Sequence, residues 1–308
     1  MSELANIILR FALYMDLMLL FGVVFFGLNS LKGSERITGM VLPFRSLLMG
    51  TIVFGAVLSI AGMVLLASAM SGESDIAALR PHVEMMVRET DVGLAWTVRI
   101  IALVIAAIAT MLNQRSPTIS LFVAAMAGGI ALASLVWSGH GAMDEGVWHF
   151  TADILHLLAG GAWLGALVAF AWMSRGDALH TEDHVRLLAR AVTRFESVGA
   201  VIVIALAVTG VVNYLYIAGP KLDVVLLGSY GMLLFVKVAL FAGMLVLAAL
   251  NRFHLGPLLE RSLRDGQYQV AANALRRSVV VELAAAVLIV GLVAWLGTLS
   301  PETTTADL

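Results

Sequence analysis

Long apolar segments, separated by short polar ones, run along almost the whole chain. Eight of them are about as long as a bilayer is thick: 4–28, 46–70, 92–112, 118–138, 148–173, 195–217, 225–250 and 278–299. A helix needs roughly 20 apolar residues to cross the hydrocarbon core. The apolar positions are continuous and do not alternate with polar ones, so the spans should be helices, not strands of a barrel. The pattern predicts an all-α, polytopic membrane bundle of about eight transmembrane helices, with residues 1–308 forming a single transmembrane domain.

Composition agrees with this pattern and excludes several classes of protein. The chain is 60% hydrophobic and 13% charged, whereas soluble domains are about 45–50% apolar and about 25% charged. The net charge of −2 gives no indication of nucleic-acid binding. The absence of cysteine excludes disulfides, thiolate metal sites and thiol catalysis. The first apolar segment is too long for the core of a signal peptide and has no basic residues before it, so we expect a retained helix.

The distribution of lysine and arginine predicts the orientation. One set of alternate loops holds Lys32, Arg36, Arg45, Arg115, Arg175, Arg186, Arg190, Arg194, Arg252, Arg261, Arg264, Arg276 and Arg277. The other set, together with the N-terminal end of the first span, holds only Arg10, Arg80, Arg88 and Lys221. Loops rich in Lys and Arg remain cytoplasmic. Both termini should therefore lie on the outer side of the membrane, which is the periplasm if the protein is bacterial.

The segment SGHGAMDEGVWHFTADILHLLAGGAWLG contains a cluster of potential metal ligands near the outer face. His149, Asp153 and His156 are spaced i, i+4, i+7 and should share one helix face, while His140 and Met143 lie in the preceding loop. Imidazole suits copper, zinc, iron and nickel, and a thioether favours Cu(I). Asp153 could bind a metal directly or orient an imidazole.

This cluster has an ordinary interpretation as well. Single histidines such as His140 and His149 are common at membrane interfaces and need no ligand. That interpretation suits Asp153 and His156 less well, because ionisable groups within a span are costly and are usually functional. We therefore predict a metal site here.

A second, weaker metal candidate lies on the same side of the membrane. His82, Met85 and Met86 have i, i+3, i+4 spacing in the sequence PHVEMM. An amphipathic interfacial turn, with the methionines in contact with lipid, explains the same pattern. His180 and His184 also have helical spacing, but we interpret them as part of a solvated cytoplasmic helix face.

Three further charges lie within predicted spans. Asp16 and Lys237 are each about twelve residues from the outer end of a helix, so their similar depth predicts that they pair. Arg99 lies at a depth similar to that of His156 and is expected to pair with Asp153. Two carboxylates at the cytoplasmic ends of spans could pair with nearby arginines: Glu196 and Glu282, with Arg194, Arg252 or Arg276.

Four segments resemble those of a known family. They are SGH followed by ADILHLLAGGAWLGAL, then RFESVGAVIVIALAVTGVVN, then YGMLLFVKVALFAGMLVLAALNRFHLGPLL, and finally LRRSVVVELAAAVLIVGLVAWLGTLSP. Their order over residues 138–301 is similar to that of the CopD/PcoD-type copper-resistance membrane proteins. The first half of the chain resembles this family in its pattern of spans. Within GGAWLG, Gly161 and Gly165 have a spacing that allows close helix packing.

The resemblance implies a multi-pass bacterial inner-membrane protein of copper homeostasis, which moves copper with a periplasmic CopC-type partner. Some relatives carry that partner as a fused domain, so we expect this chain to use a separate one. His140, Asp153 and His156 match motif positions of the family. His149 and Met143 are added because they lie close by in the sequence.

The sequence leaves two other functions open. Paired histidines could bind haem b for electron transfer, or the protein could be a scaffold that recruits a periplasmic partner without transport. No GxxxxGK[ST] phosphate loop is present, so transport would be passive or driven by an ion gradient. We expect no enzymatic activity.

Overall fold

The computed structural model describes residues 3–36, 41–73, 75–138, 146–218 and 229–299, and within these ranges the regular structure is entirely helical. The α-helices are α1 Glu3–Ser30, α2 Phe44–Ser71, α3 Ile76–Glu89, α4 Asp91–Met111, α5 Pro117–Ala133, α6 Gly146–Met173, α7 Glu182–Ala218, α8 Ser229–Leu250, α9 Gly256–Arg264 and α10 Gln269–Leu296. Short 3-10 helices cover Gly33–Arg36, Val136–Ser138 and Gly176–His180, and a π-helical turn, Asn251–Leu255, joins α8 to α9.

The expectation of a polytopic helical membrane protein is confirmed. In the described ranges, seven helical segments are long and apolar enough to cross a membrane, and α8 with α9 counts as one of them. The predicted fourth span, 118–138, is the exception. Its α-helix α5 ends at Ala133 after 17 residues, and the 3-10 turn Val136–Ser138 follows. This length is at the lower limit for a membrane span.

Helix α1 lies at the centre of the bundle and packs against α2, α5, α6, α7 and α10. Its side chains Leu17, Leu20, Val23, Val24 and Phe26 are fully or almost fully buried. The sequence alone did not indicate that the first span would be central, because its composition resembles that of the other spans.

The contact between α1 and α6 is made by backbone against backbone. Gly22 of α1 lies against Gly161 and Gly165 of α6, and a Cβ at Gly22 would overlap the carbonyl group of Gly161. A Cβ at Gly165 would likewise overlap the backbone of Gly22. Small residues allow membrane helices to approach this closely, so the Gly161–Gly165 spacing has the role that the sequence suggested.

The charged segment 174–194 differs from its prediction. The sequence placed His180 and His184 on one solvated helix face, but His180 ends a separate 3-10 helix, Gly176–His180. Helix α7 begins at Glu182 and continues for 37 residues into the apolar span. Residues 182–198 contain neither Gly nor Pro and are rich in Leu, Ala, Arg and Glu, so nothing interrupts the helix at the membrane boundary.

The arginine-rich loops converge at one end of the bundle, which we call the arginine-rich end. The Arg36 guanidinium donates hydrogen bonds to the carbonyl of Leu28, at 2.8 Å, and to the Thr118 hydroxyl, at 2.9 Å. Arg190 pairs with Glu35. Three connecting segments therefore meet at this end, as the alternation of loops predicts.

The close glycine contact predicts a position-specific loss of stability. Gly165→Leu should lower the free energy of unfolding by at least about 3 kcal/mol, because two backbones cannot move apart without separating α1 from α6. Gly243→Leu is the matched control, since nothing lies within 4 Å of a Cβ at that position of α8. Apparent midpoints of thermal unfolding in detergent measure both. Equal midpoints for the two variants would contradict the packing described here.

The orientation predicts which side of the membrane each loop faces. Because the chain has no cysteine, single-cysteine variants can be labelled without background. Arg80→Cys on α3 should react with a membrane-impermeant maleimide in intact cells whose outer envelope is permeabilised. Arg115→Cys, between α4 and α5, should react only after lysis. The reverse labelling pattern would show that the bundle has the opposite orientation in the membrane.

Candidate functional site

Helix α6 presents one polar stripe along its length. His149, Asp153, His156, Gly160 and Trp163 follow one another at intervals of four and three residues and so lie on a single face. The stripe starts one turn inside the N-terminal end of α6, opposite the arginine-rich end. The predicted one-face arrangement of His149, Asp153 and His156 agrees with this helix.

His149 and Asp153 form the outer part of the stripe. The Nε2 atom of His149 lies 3.7 Å from Oδ2 of Asp153. The His149 ring is 2% exposed and stacks on the ring of Tyr216, with centroids 5.0 Å apart. The side-chain amide of Asn213 donates a hydrogen bond of 2.6 Å to Oδ1 of Asp153. Two residues of α7 therefore hold this acid–imidazole pair in place.

His156 lies one helical turn deeper and is fixed by Thr209. Its Nδ1 atom is 2.9 Å from the Thr209 hydroxyl, which itself donates to the Ala205 carbonyl. Since the hydroxyl proton is used in that bond, the hydroxyl accepts from Nδ1–H of His156. This assignment of the tautomer, inferred from the hydrogen bonds, leaves the lone pair on Nε2. Nε2 is the ring atom that can bind a metal or accept a proton.

Lys237 brings a positive charge to the same stripe. It lies on α8 and interacts electrostatically with both Asp153 and His156 of α6. Asp153 therefore interacts with three residues: it lies close to His149, accepts a hydrogen bond from Asn213 and interacts electrostatically with Lys237.

Both predicted intramembrane charge pairs are wrong. Asp16 is directed at α2, where its Oδ2 occupies the space beside Gly55. Arg99 donates from Nε to the Ser134 hydroxyl at 2.9 Å, and its Nη2 lies 3.5 Å from the Ser134 carbonyl. The depth of each charge in the membrane follows from its position in the span, but depth does not determine which neighbouring helix the side chain faces.

Two of the predicted ligands, His140 and Met143, lie outside the described residues. Within the described ranges, no three side chains from His, Asp and Glu are grouped so that they could hold a metal. The described part of the site is therefore the pair His149–Asp153 with His156 below it.

The structure separates the members of the second candidate, on α3. Met86 is 2% exposed and packs with Met63 and Leu79 in a small apolar cluster, whereas Met85 is 42% exposed. The Nδ1 atom of His82 lies 3.3 Å from the Ala78 carbonyl. This arrangement is that of an amphipathic helix anchored by Met86, whereas the alternative from the sequence placed both methionines in contact with lipid.

Three site residues on α7 were missed by sequence reasoning. Thr209, Asn213 and Tyr216 are spaced i, i+4, i+7, the same spacing as in the histidine stripe on α6. Because α6 and α7 are antiparallel, the order is reversed, so that Thr209 meets His156 and Tyr216 meets His149. Matching polar intervals in two successive apolar spans were the signal that could have found them.

The electrostatic interaction of Lys237 with Asp153 predicts thermodynamic coupling. In a double-mutant cycle, Asp153→Asn and Lys237→Met should show an interaction free energy of about 0.5–3 kcal/mol, because each single change removes one of two interacting opposite charges. Asp16→Asn combined with Lys237→Met is the control and should be additive to within about 0.5 kcal/mol. Unfolding by denaturant in mixed micelles measures all the variants. Coupling to Asp16 in place of Asp153 would refute the interaction.

Comparisons with known proteins identify the family of this chain. Residues 1–150 match the model of the family described as copper resistance protein D-like, N-terminal domain, and residues 189–296 match that of copper resistance protein D. Copper resistance protein D of Pseudomonas syringae pv. tomato is 52% identical over 305 residues, which are 98% of each chain. Inner membrane protein YebZ of Escherichia coli K12 is 28% identical over 264 residues, 83% of this chain and 86% of that protein. No solved structure matches. The chain belongs to the copper resistance protein D family and is a multi-pass inner-membrane protein.

Proposed function

We propose that this protein moves copper ions across the inner membrane and takes them up at the outer end of the α6 stripe. The observation that carries the proposal is His156, which lies inside an apolar span and is held by Thr209 with its Nε2 lone pair free of that bond. His149 and Asp153 lie one to two turns above it. His140 and Met143, from the loop before α6, would complete the ligand set. The ion is moved and undergoes no covalent chemistry.

Electrostatics supports a site for a cation that loses its water. An ion that enters a medium of low polarity needs ligands to replace its hydration shell and a negative charge to offset its own. Here imidazole nitrogens can replace the water ligands, and the Asp153 carboxylate supplies the negative charge. Lys237 on α8 is a nearby positive charge that interacts electrostatically with that carboxylate. We propose that copper displaces Lys237 from Asp153, so that an empty site never exposes an uncompensated charge.

Delivery would come from the periplasm. If the arginine-rich end is cytoplasmic, the α6 stripe begins near the periplasmic face. The family resemblance implies a CopC-type copper-binding protein as donor, and we propose that it delivers copper beside the loop that carries His140 and Met143.

The haem alternative gains no support from the described histidines. His149 and His156 are both on α6 and both on the same face of it, separated by seven residues. Two axial ligands must approach the iron from opposite faces of the haem, and two side chains of one helix face cannot do so. Absence of a Soret band from the purified protein is the expected result.

The proposal predicts a specific effect of His156→Ala. Copper affinity, measured by titration of purified protein, should fall at least about tenfold, and copper uptake into sealed proteoliposomes should fall with it, because one ligand is lost. Thr209→Val should cause a smaller loss in the same direction, since it frees the imidazole to rotate.

His180→Ala is the matched control. His180 is exposed and ends the 3-10 helix at the arginine-rich end, 17 residues beyond Trp163 of the stripe. Its removal should leave binding and uptake unchanged. Equal copper binding by the wild type and His156→Ala would reject the site. Binding without uptake in wild-type vesicles would reject transport and favour a scaffold that only binds copper.

A further inference from the structure

A second polar cluster lies at the other end of the α6 stripe. Glu282 of α10 is 3% exposed. The indole N–H of Trp163 donates to its Oε1 at 2.9 Å, and the side-chain amide of Asn251 donates to its Oε2 at 3.0 Å. Three segments, α6, the π-helical turn and α10, therefore meet at one buried carboxyl group.

No cation is paired with this carboxyl group among the residues that the structure describes. The sequence suggested Arg194, Arg252 or Arg276 as partners, but none of them forms an ion pair with Glu282 in the described ranges, so that expectation is wrong. Trp163 and Asn251 are both neutral. An ionised carboxylate buried without a counter-ion costs several kcal/mol even when it is hydrogen-bonded. Glu282 therefore needs a proton or a mobile cation.

Asn251 can form a hydrogen bond with either protonation state of Glu282. As described, its amide N–H donates to the carboxyl group, while its Oδ1 is buried and has no hydrogen-bond partner. The two ends of an amide are close to isosteric. If the amide turns over, Oδ1 can accept a hydrogen bond from a protonated Glu282, and if it turns back, the N–H stabilises the anion. The free Oδ1 of Asn251 therefore allows the carboxyl group of Glu282 to be hydrogen-bonded both with and without its proton.

The cluster lies on the same helix faces as the histidine stripe. Along α6, Trp163 is seven residues below His156 on the same face, a separation of about 10 Å. Along α8, Lys237, Met244 and Asn251 are also spaced by seven residues, and Met244 is buried between the two polar positions. Asn251 is the first residue of the π-helical turn, and such turns frequently mark functional sites.

We propose that Glu282 is an inner proton-binding site whose proton is exchanged for the cation that the protein carries. In the absence of metal the carboxyl group holds one proton. When a cation enters the bundle, that proton leaves the carboxyl oxygen for water at the arginine-rich end, and the cation replaces the lost positive charge. The part of this inference that concerns copper rests on the transport function proposed above; the proton site itself does not.

Two other ionisable groups lie close to α10 or to the π-helical turn. Glu196 of α7 has its Oε1 3.9 Å from the position of a Cβ on Gly256, just beyond the π-helical turn. Arg10 of α1 contacts Gly297, at the opposite end of α10. Glu196→Gln is therefore a required comparison, because this residue is the ionisable group on a neighbouring helix that approaches the π-helical turn.

Infrared spectroscopy of the metal-free protein tests the proton site directly. At neutral pH the wild type should show the C=O stretch of a protonated, buried carboxyl group that is missing from Glu282→Gln and present in Glu196→Gln. Asn251→Ala keeps the carboxyl group but removes one hydrogen-bond partner, so its band should be shifted, and this second variant covers the case in which Glu282→Gln does not fold. If Glu282→Gln folds, a spectrum identical to that of the wild type would overturn the proposal. If Glu282→Gln does not fold, an unshifted band in Asn251→Ala would overturn it.

Proton release on copper binding tests the exchange. In weakly buffered solution the wild type should release one proton per copper more than Glu282→Gln, because metal binding displaces the proton. Asp16→Asn, which alters another buried carboxyl group, should release as many protons as the wild type. Equal release by the wild type and Glu282→Gln would overturn the exchange while leaving copper transport intact. No copper binding by the wild type, with the infrared band present, would instead refute the transport function and leave the proton site.

Discussion

The contact of Gly22 with Gly161 and Gly165 is the constraint on which the rest of the bundle depends. Lipid tails are as apolar as leucine, so membrane helices gain little from hiding apolar side chains from one another. Close approach must supply the attraction instead, through dispersion contacts and weak backbone hydrogen bonds. By meeting backbone to backbone, α1 and α6 lie closer than side chains of ordinary size would allow. Helix α6 is thereby fixed against the central helix.

The orientation of α6 follows from that contact and determines where its polar face is directed. Gly161 and Gly165 face α1, whereas Asp153 and His156 face α7 and α8. A helix with glycine on one side and ionisable residues on another can be buried only if its neighbours supply hydrogen bonds. Thr209 and Asn213 supply them on α7, and Glu282 meets Trp163 from α10. The polar stripe thus lies within the protein and not in the acyl chains.

Much of the fold could be predicted from the sequence, because span length and hydropathy are properties of single segments. The helical class, the approximate spans and the common end of the arginine-rich loops were all accessible in this way. The charge pairs could not be predicted in this way, because pairing depends on which direction each of the two helices turns its charged side chain. Lys237 was assigned to Asp16 from depth alone, yet α8 packs mainly against α10, and Lys237 interacts electrostatically with Asp153 of α6. Glu282 was assigned to arginines nearby in sequence, while its partners Trp163 and Asn251 are on other helices.

The unbroken length of α7 has a mechanical consequence. One helix joins Arg190 at the arginine-rich end, paired with Glu35, to Asn213 and Tyr216 beside the acid–imidazole pair. From residue 190 to residue 216 the axis is about 39 Å long, and without a kink it behaves as a stiff rod. A tilt of about 3° around its middle displaces each end by about 1 Å, enough to break the hydrogen bond between Asn213 and Asp153. A movement at the arginine-rich end is therefore transmitted along α7 to the acid–imidazole pair.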